Sequence, residues 1–378
     1  MTPFCFLKPA TVALLGLALA ACGGGAAAPA NSAASPAPST ATTANGAAAA
    51  SKPAANGSAP AAASGASQQP VVSAPASAGG SGAANLTKLT AAYSQVSAVQ
   101  APLYVAGDQG FFRKYGIDVN IVLIAGTQQV PAMTAGELQF GTPGGNELVS
   151  ANLGGAPMVA IAVASNYPVF SMYGQKGVTD VNQLAGKSVA ITTAGSSTDA
   201  AAQVFLKHFN LDKEVKRQPA GTIGGILATV EKGYAAAGIV SPPTTVKAAK
   251  DGLPELANGP QLGVPMTHSA VTVTRNYLKS NPQMVKAFLQ GYLDGWNFTL
   301  DPANQDAVVQ TLAKWTKSDE ATARASYEYV LPAFQHDKVP AVNLDGLQTV
   351  LDLVDNPKAK NAKPSDFIDN SLIEALAK

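Results

Sequence analysis

The first 85 residues contain no aspartate or glutamate, and their only basic side chains are Lys8 and Lys52. Beyond an opening apolar run they are nearly all Ala, Gly, Pro, Ser, Thr and Asn. A stretch so poor in large apolar groups cannot bury enough surface to offset its chain entropy, so residues 23–85 are predicted to stay disordered. Core formation falls to residues 86–378, a length that suits one large unit or two lobes of ordinary size. Of the 25 Lys and Arg, two lie in the first segment, leaving 23 against 24 Asp and Glu in the rest. A nearly neutral body gives no electrostatic reason to expect nucleic acid or an anionic membrane surface as its partner.

The opening reads as an address. Lys8 precedes an apolar run from Ala10 to Ala21. That run falls short of the roughly 20 residues a spanning helix needs, and it has the build of a secretory signal. It ends Leu19-Ala20-Ala21-Cys22-Gly23, which resembles the bacterial lipobox. The resemblance implies a signal peptide over 1–21, a lipid on Cys22, and a tether over 22–85 whose flexible chain spans about 45 Å. The expected location is extracytoplasmic, on a membrane. Cys5 and Cys22 are the only cysteines, and His208, His268 and His336 the only histidines. The folded part therefore has no disulfide and no thiolate ligand, and its histidines form no HxxxH or HxH pair. Neither a metal nor a cofactor is expected.

From Leu86 onward, short apolar runs alternate with helical patterns. Strands are predicted at 86–93, 118–124, 140–141, 158–164, 169–173, 188–191, 237–240 and 270–274. Helices are predicted between them, including 100–109, 128–135, 146–153, 197–209, 223–232 and 244–250. After Asn281-Pro282 the chain turns mostly helical. Such alternation means an α/β fold with mainly parallel sheets.

Four segments carry a resemblance. The first is Gly110-Phe-Phe-Arg-Lys-Tyr-Gly116-Ile-Asp-Val119 after a helical Ala101–Gln109. The second is Ala135-Gly-Glu-Leu-Gln-Phe-Gly141 with Leu153-Gly-Gly-Ala-Pro157. The third is Asp180-Val-Asn-Gln-Leu-Ala-Gly186 running on to Gly195-Ser196, and the fourth Val230-Glu-Lys-Gly233 running on to Val240-Ser-Pro242. In this order and spacing they resemble the NMT1/THI5-like solute receptors for sulfonates, taurine, nitrate and thiamine precursors. The resemblance implies a type II periplasmic binding protein fold, with two doubly wound lobes joined by two crossover strands. Lobe I would comprise 86–172 and 268–378, and lobe II 173–267. The chain departs from the family at Gln139 and Ala236, where Asp is frequent. It also lacks the cysteine-rich motif of the eukaryotic pyrimidine-forming enzymes of this fold.

In open α/β sheets ligands bind beyond the carboxyl ends of the strands. Four loops qualify. Ser94, Gln95, Ser97 and Gln100 follow the first strand. Thr142, Pro143, Gly144 and Asn146 join a strand to a helix, with glycine allowing close backbone approach. Thr193, Gly195, Ser196, Ser197 and Thr198 open a helix whose free amides favour negative charge; Asp199 is expected to support that turn. Ser241 and Pro242 end a lobe II strand. His268 and Tyr167 sit near the expected crossovers, while Arg113 and Lys114 are expected to be solvated.

These loops carry almost no charge, so recognition by amides, hydroxyls and helix dipoles is expected, with a small organic sulfonate or similar anion as the favoured ligand. The function expected is a monomeric, non-enzymatic receptor delivering a small molecule to an ABC permease. A sensory receptor of the same fold, or one for a pyrimidine or aromatic acid, is the alternative.

Overall fold

Ten strands among the described residues assemble into two five-stranded sheets of matching design. The computed structural model describes residues 86–378. The signal, Cys22 and the tether expected over 1–85 lie outside the described residues. The strands are β1 (Thr87–Tyr93), β2 (Ile117–Leu123), β3 (Phe140–Thr142), β4 (Met158–Ser165) and β5 (Ser171–Gly174), then β6 (Ser188–Ile191), β7 (Lys216–Pro219), β8 (Ala237–Val240), β9 (Glu255–Asn258) and β10 (His268–Thr274). The first sheet has the order β2-β1-β3-β10-β4 and the second β7-β6-β8-β5-β9.

In each sheet four strands run in the same sense, and one, β10 or β5, is reversed and pairs antiparallel with both of its neighbours. The expectation of mainly parallel sheets holds for strand direction, four strands of five in each, while the reversed strand makes two of the four pairings antiparallel. The reversed strand is in each case the first one formed after the chain has come over from the other sheet. Sequence patterning recovers the strands with buried apolar runs, such as the wholly buried β4. It misses β7 and β9, whose sequences Lys-Arg-Gln-Pro and Glu-Leu-Ala-Asn sit at the two sheet edges, where neighbours on one side suffice. The outer edge of β4 is covered by the C-terminal segment, through Val163 N–H to Pro340 O and Asp369 N–H to Ala160 O, which removes an open ladder.

The chain passes between the sheets at 166–170 and 259–267. The passes run side by side: Gly259 N–H donates to Phe170 O at 2.8 Å, and Met266 N–H to Asn166 O at 2.8 Å. The Asn166 side chain is tied to Asp337, Ala341 O and Asn343 N–H of the helical tail. The tail therefore grips the junction. At Gly259 a β-carbon would stand 2.5 Å from Pro168 O and 2.6 Å from Phe170 O, so the two passes can lie together only with glycine there. Gly259→Ala is expected to lower stability by about 1–3 kcal/mol through overpacking. Urea unfolding that leaves the midpoint unchanged would contradict this packing.

Candidate ligand-binding cleft

Six strand ends, three from each sheet, converge on one cavity of about 710 Å3. From the first sheet come Ser94, Gln95 and Val96 after β1, Leu123 and Ala125–Gln128 after β2, and Glu147 in the first turn of the helix after β3. From the second come Thr192, Thr193 and Ser196–Thr198 after β6, Gly221–Gly224 after β7, and Pro243 with Thr244 after β8. Thr316, at the end of the tail helix Gln305–Thr316, completes the rim. The loops after β2 and β7 were not anticipated. β7 has no strand signal to point to its loop, and the sequence pattern divides 124–128 among a strand end at Ile124, a connection and a helix start at Gln128.

The structure puts six of the sixteen expected ligand residues on this cavity: Ser94, Gln95, Thr193, Ser196, Ser197 and Thr198. The others have structural partners or lie off it. Ser97 is buried and caps the 3-10 turn Ala98–Gln100 by accepting from Val99 N–H. Gln100 is buried, accepts from Thr142 Oγ1 at 3.2 Å and donates to Ser269 Oγ at 3.2 Å, tying β1, β3 and β10 together. The carbonyl of Pro143 accepts from Ala270 N–H, and that of Pro242 from Ala98 N–H at 3.1 Å. Ser241 is buried with its hydroxyl unpaired, and the cavity instead meets Pro243 and Thr244 of that loop. His268 is buried against the edge of Phe170, its ring nitrogens lack hydrogen-bond partners, and burial pushes its pKa down to about 3, so it is neutral. Tyr167 bonds His336 at 3.0 Å, away from the cavity. Asp199 holds the loop as expected, accepting from Gly195 N–H at 2.9 Å and from Arg217.

The two halves touch at the bottom of the cleft. Asn146 Nδ2 donates to Gly195 O, and Ser197 Oγ donates to the Glu147 carboxyl at 3.2 and 3.3 Å. Glycine makes room for this carboxyl. A β-carbon at Gly144 would lie 2.4 Å from Glu147 Oε2 and 2.2 Å from Ser197 Oγ, and one at Gly126 would lie 2.7 Å from Glu147 Oε1. The room that glycine leaves at 144 is taken by side chains of the protein itself.

Glu147 is the one ionisable side chain on the cavity lining. Sequence reasoning passed it over because an acid in the first turn of a helix is ordinary dipole complementarity. Burial pushes its pKa up to about 7, against the opposing pull of hydrogen bonds from its own amide, from the hydroxyl and amide of Ser197, and from the Gly144 amide.

The unfolded chain releases this proton near 4.5, whereas the folded protein keeps it to about 7. Between those values the native state binds more protons, so stability falls as the pH rises through the window, by an amount on the order of 3 kcal/mol. Glu147→Gln should match the parent near pH 4 and melt at higher temperature by pH 8. A difference that stays constant across that range would contradict the buried carboxyl.

Paired sheets with strand-end loops facing one another across a cleft define the periplasmic binding protein fold, and solved structures agree. The nitrate-binding protein NrtA of Synechocystis PCC 6803 superposes with a TM-score of 0.67 over 77% of this chain and 88% of its own, at 15% identity. The alkanesulfonate-binding protein SsuA of Xanthomonas axonopodis pv. citri, bound to MOPS, gives 0.61 over 78% and 99%, at 18% identity. In sequence, a binding protein of Brucella abortus strain 2308 is 30% identical over 224 residues, covering 57% of this chain and 68% of its own. Residues 97–305 match the NMT1/THI5-like family. The chain belongs to that family.

Proposed function

We propose that this protein is a solute receptor that captures a small molecule between its two halves and presents it to an ABC importer. The observation carrying this reading is the convergence of six strand-end loops from both sheets on one cavity of about 710 Å3. That volume falls within the 300–1,000 Å3 typical of small-molecule pockets. Passes at only two places leave the sheets free to close by hinge motion. A lipid on Cys22 and the tether over 22–85 would hold the receptor at the outer face of the membrane, within reach of a permease. These features follow from the lipobox resemblance.

A binding role, not a catalytic one, fits the lining. Its serine and threonine hydroxyls have no histidine or lysine among the lining residues to act as a base, and Glu147 has no second carboxylate beside it on the lining. An organic sulfonate or similar anion, and an uncharged polar molecule, are the two ligand classes that hydroxyl and amide donors can serve.

Binding can be read through Trp315. Its ring stacks on Tyr104 at 4.6 Å and adjoins Thr316 on the rim, while the other tryptophan, Trp296, is buried in the core. A solute at 100 times its dissociation constant should raise stability by about 2.7 kcal/mol and shift an emission that disappears in Trp315→Phe. A broad panel of small polar solutes that moves neither signal would overturn the receptor reading.

A further inference from the structure

The anion site expected at the start of the helix Ser197–His208 is already filled. The group in it is the carboxyl of Glu147, which reaches over from the other half to take the Ser197 hydroxyl and face its amide. Nearby donors are also committed. Gly195 N–H goes to Asp199, Asp199 N–H to Ser196 Oγ, and Thr192 N–H to Thr198 Oγ1. Arg217, the cation that reaches this loop, is taken by Asp199. The lining itself has no lysine, arginine or histidine.

An anion entering here would find no countercharge and would meet a buried carboxyl in a medium where like charges repel strongly. One buried donor has no partner. Gln95 Nε2 is buried on the lining without a hydrogen-bond partner, and a buried amide left unpaired in this way calls for an acceptor. Val96, Leu123, Ile223 and Pro243 supply apolar surface for the body of a ligand, with Leu123 half exposed at the end of its strand.

We propose that the cleft selects an uncharged solute that donates an N–H or O–H to Glu147 and accepts from Gln95, such as an amide or a lactam, and that it rejects the matching carboxylates and sulfonates. This rests on the receptor reading above. A cationic amine is also disfavoured. Glu147 is only part-ionised near neutral pH, and a buried ammonium needs a fully charged, well-bonded partner.

The test uses sets of compounds that share a carbon skeleton and differ only in bearing an amide, a carboxylate, a sulfonate or an amine. Binding is followed by thermal shift and calorimetry with the full chain. At least one amide should stabilise the protein while its three counterparts do not. At pH 8, where the carboxyl is mostly ionised, Glu147→Gln should weaken that amide about tenfold, as expected for loss of a charge-assisted bond, and narrow the preference over the acids. Gln95→Leu, on a half-buried loop, should weaken the amide independently.

Stabilisation by acids or amines with the amides inert would overturn the ligand class and leave the receptor reading standing. So would folded Glu147→Gln and Gln95→Leu variants that bind the amide as the parent does. Silence from every set would instead count against the receptor reading itself.

Discussion

The working surfaces of the two halves meet where the Glu147 carboxyl is set into the first turn of the helix that begins at Ser197, beside Asn146 on the carbonyl of Gly195. The carboxyl sits where a helix start gathers partial positive charge, yet it is desolvated enough to hold its proton to about pH 7. The contact requires glycine at 144 and 126, because any side chain there would occupy the space of the carboxyl. Around it the remaining donors of the loop after β6 close upon themselves through Asp199, Ser196 and Thr198. The site that an external anion would claim is thus part of the internal structure of the protein.

The rest of the architecture holds these loops opposite one another. Two sheets of matching order present their carboxyl ends to a shared cleft. The passes at 166–170 and 259–267 lie in hydrogen-bond contact, and the helical tail secures them through Asn166. A second tail contact, from Tyr329 in the helix Glu320–Gln335 to Ser171 in β5, reaches the other sheet. The tail therefore spans the junction and restricts the directions in which the halves can part.

Most of the fold was legible in the sequence because buried strands advertise themselves. The apolar runs of β4 and β8, and the glycines closing the helices between them, need no knowledge of their neighbours. β7 and β9 were not legible because edge strands tolerate polar residues, and the loop after β7 went unnoticed with its strand. The cleft was half legible. Small polar residues at the ends of β1 and β6 marked loops that do face the cavity. Residues of the same types at 97, 100 and 142 proved to be internal braces, since a hydroxyl or amide looks alike in sequence whether it meets a ligand or a neighbouring strand. Glu147 escaped notice for the opposite reason. Its position explains itself locally as a first-turn acid, and only the arrival of Ser197 from another part of the chain gives it a second meaning.

The account stands on the two halves meeting at Glu147 and Ser197. The most direct measurement is a double-mutant cycle on Glu147→Gln and Ser197→Ala, with urea unfolding at pH 8 read for the parent, each single variant and the pair. The account predicts that the two changes are coupled, the single effects failing to add by about 1 kcal/mol. Effects that add to within about 0.3 kcal/mol would contradict it.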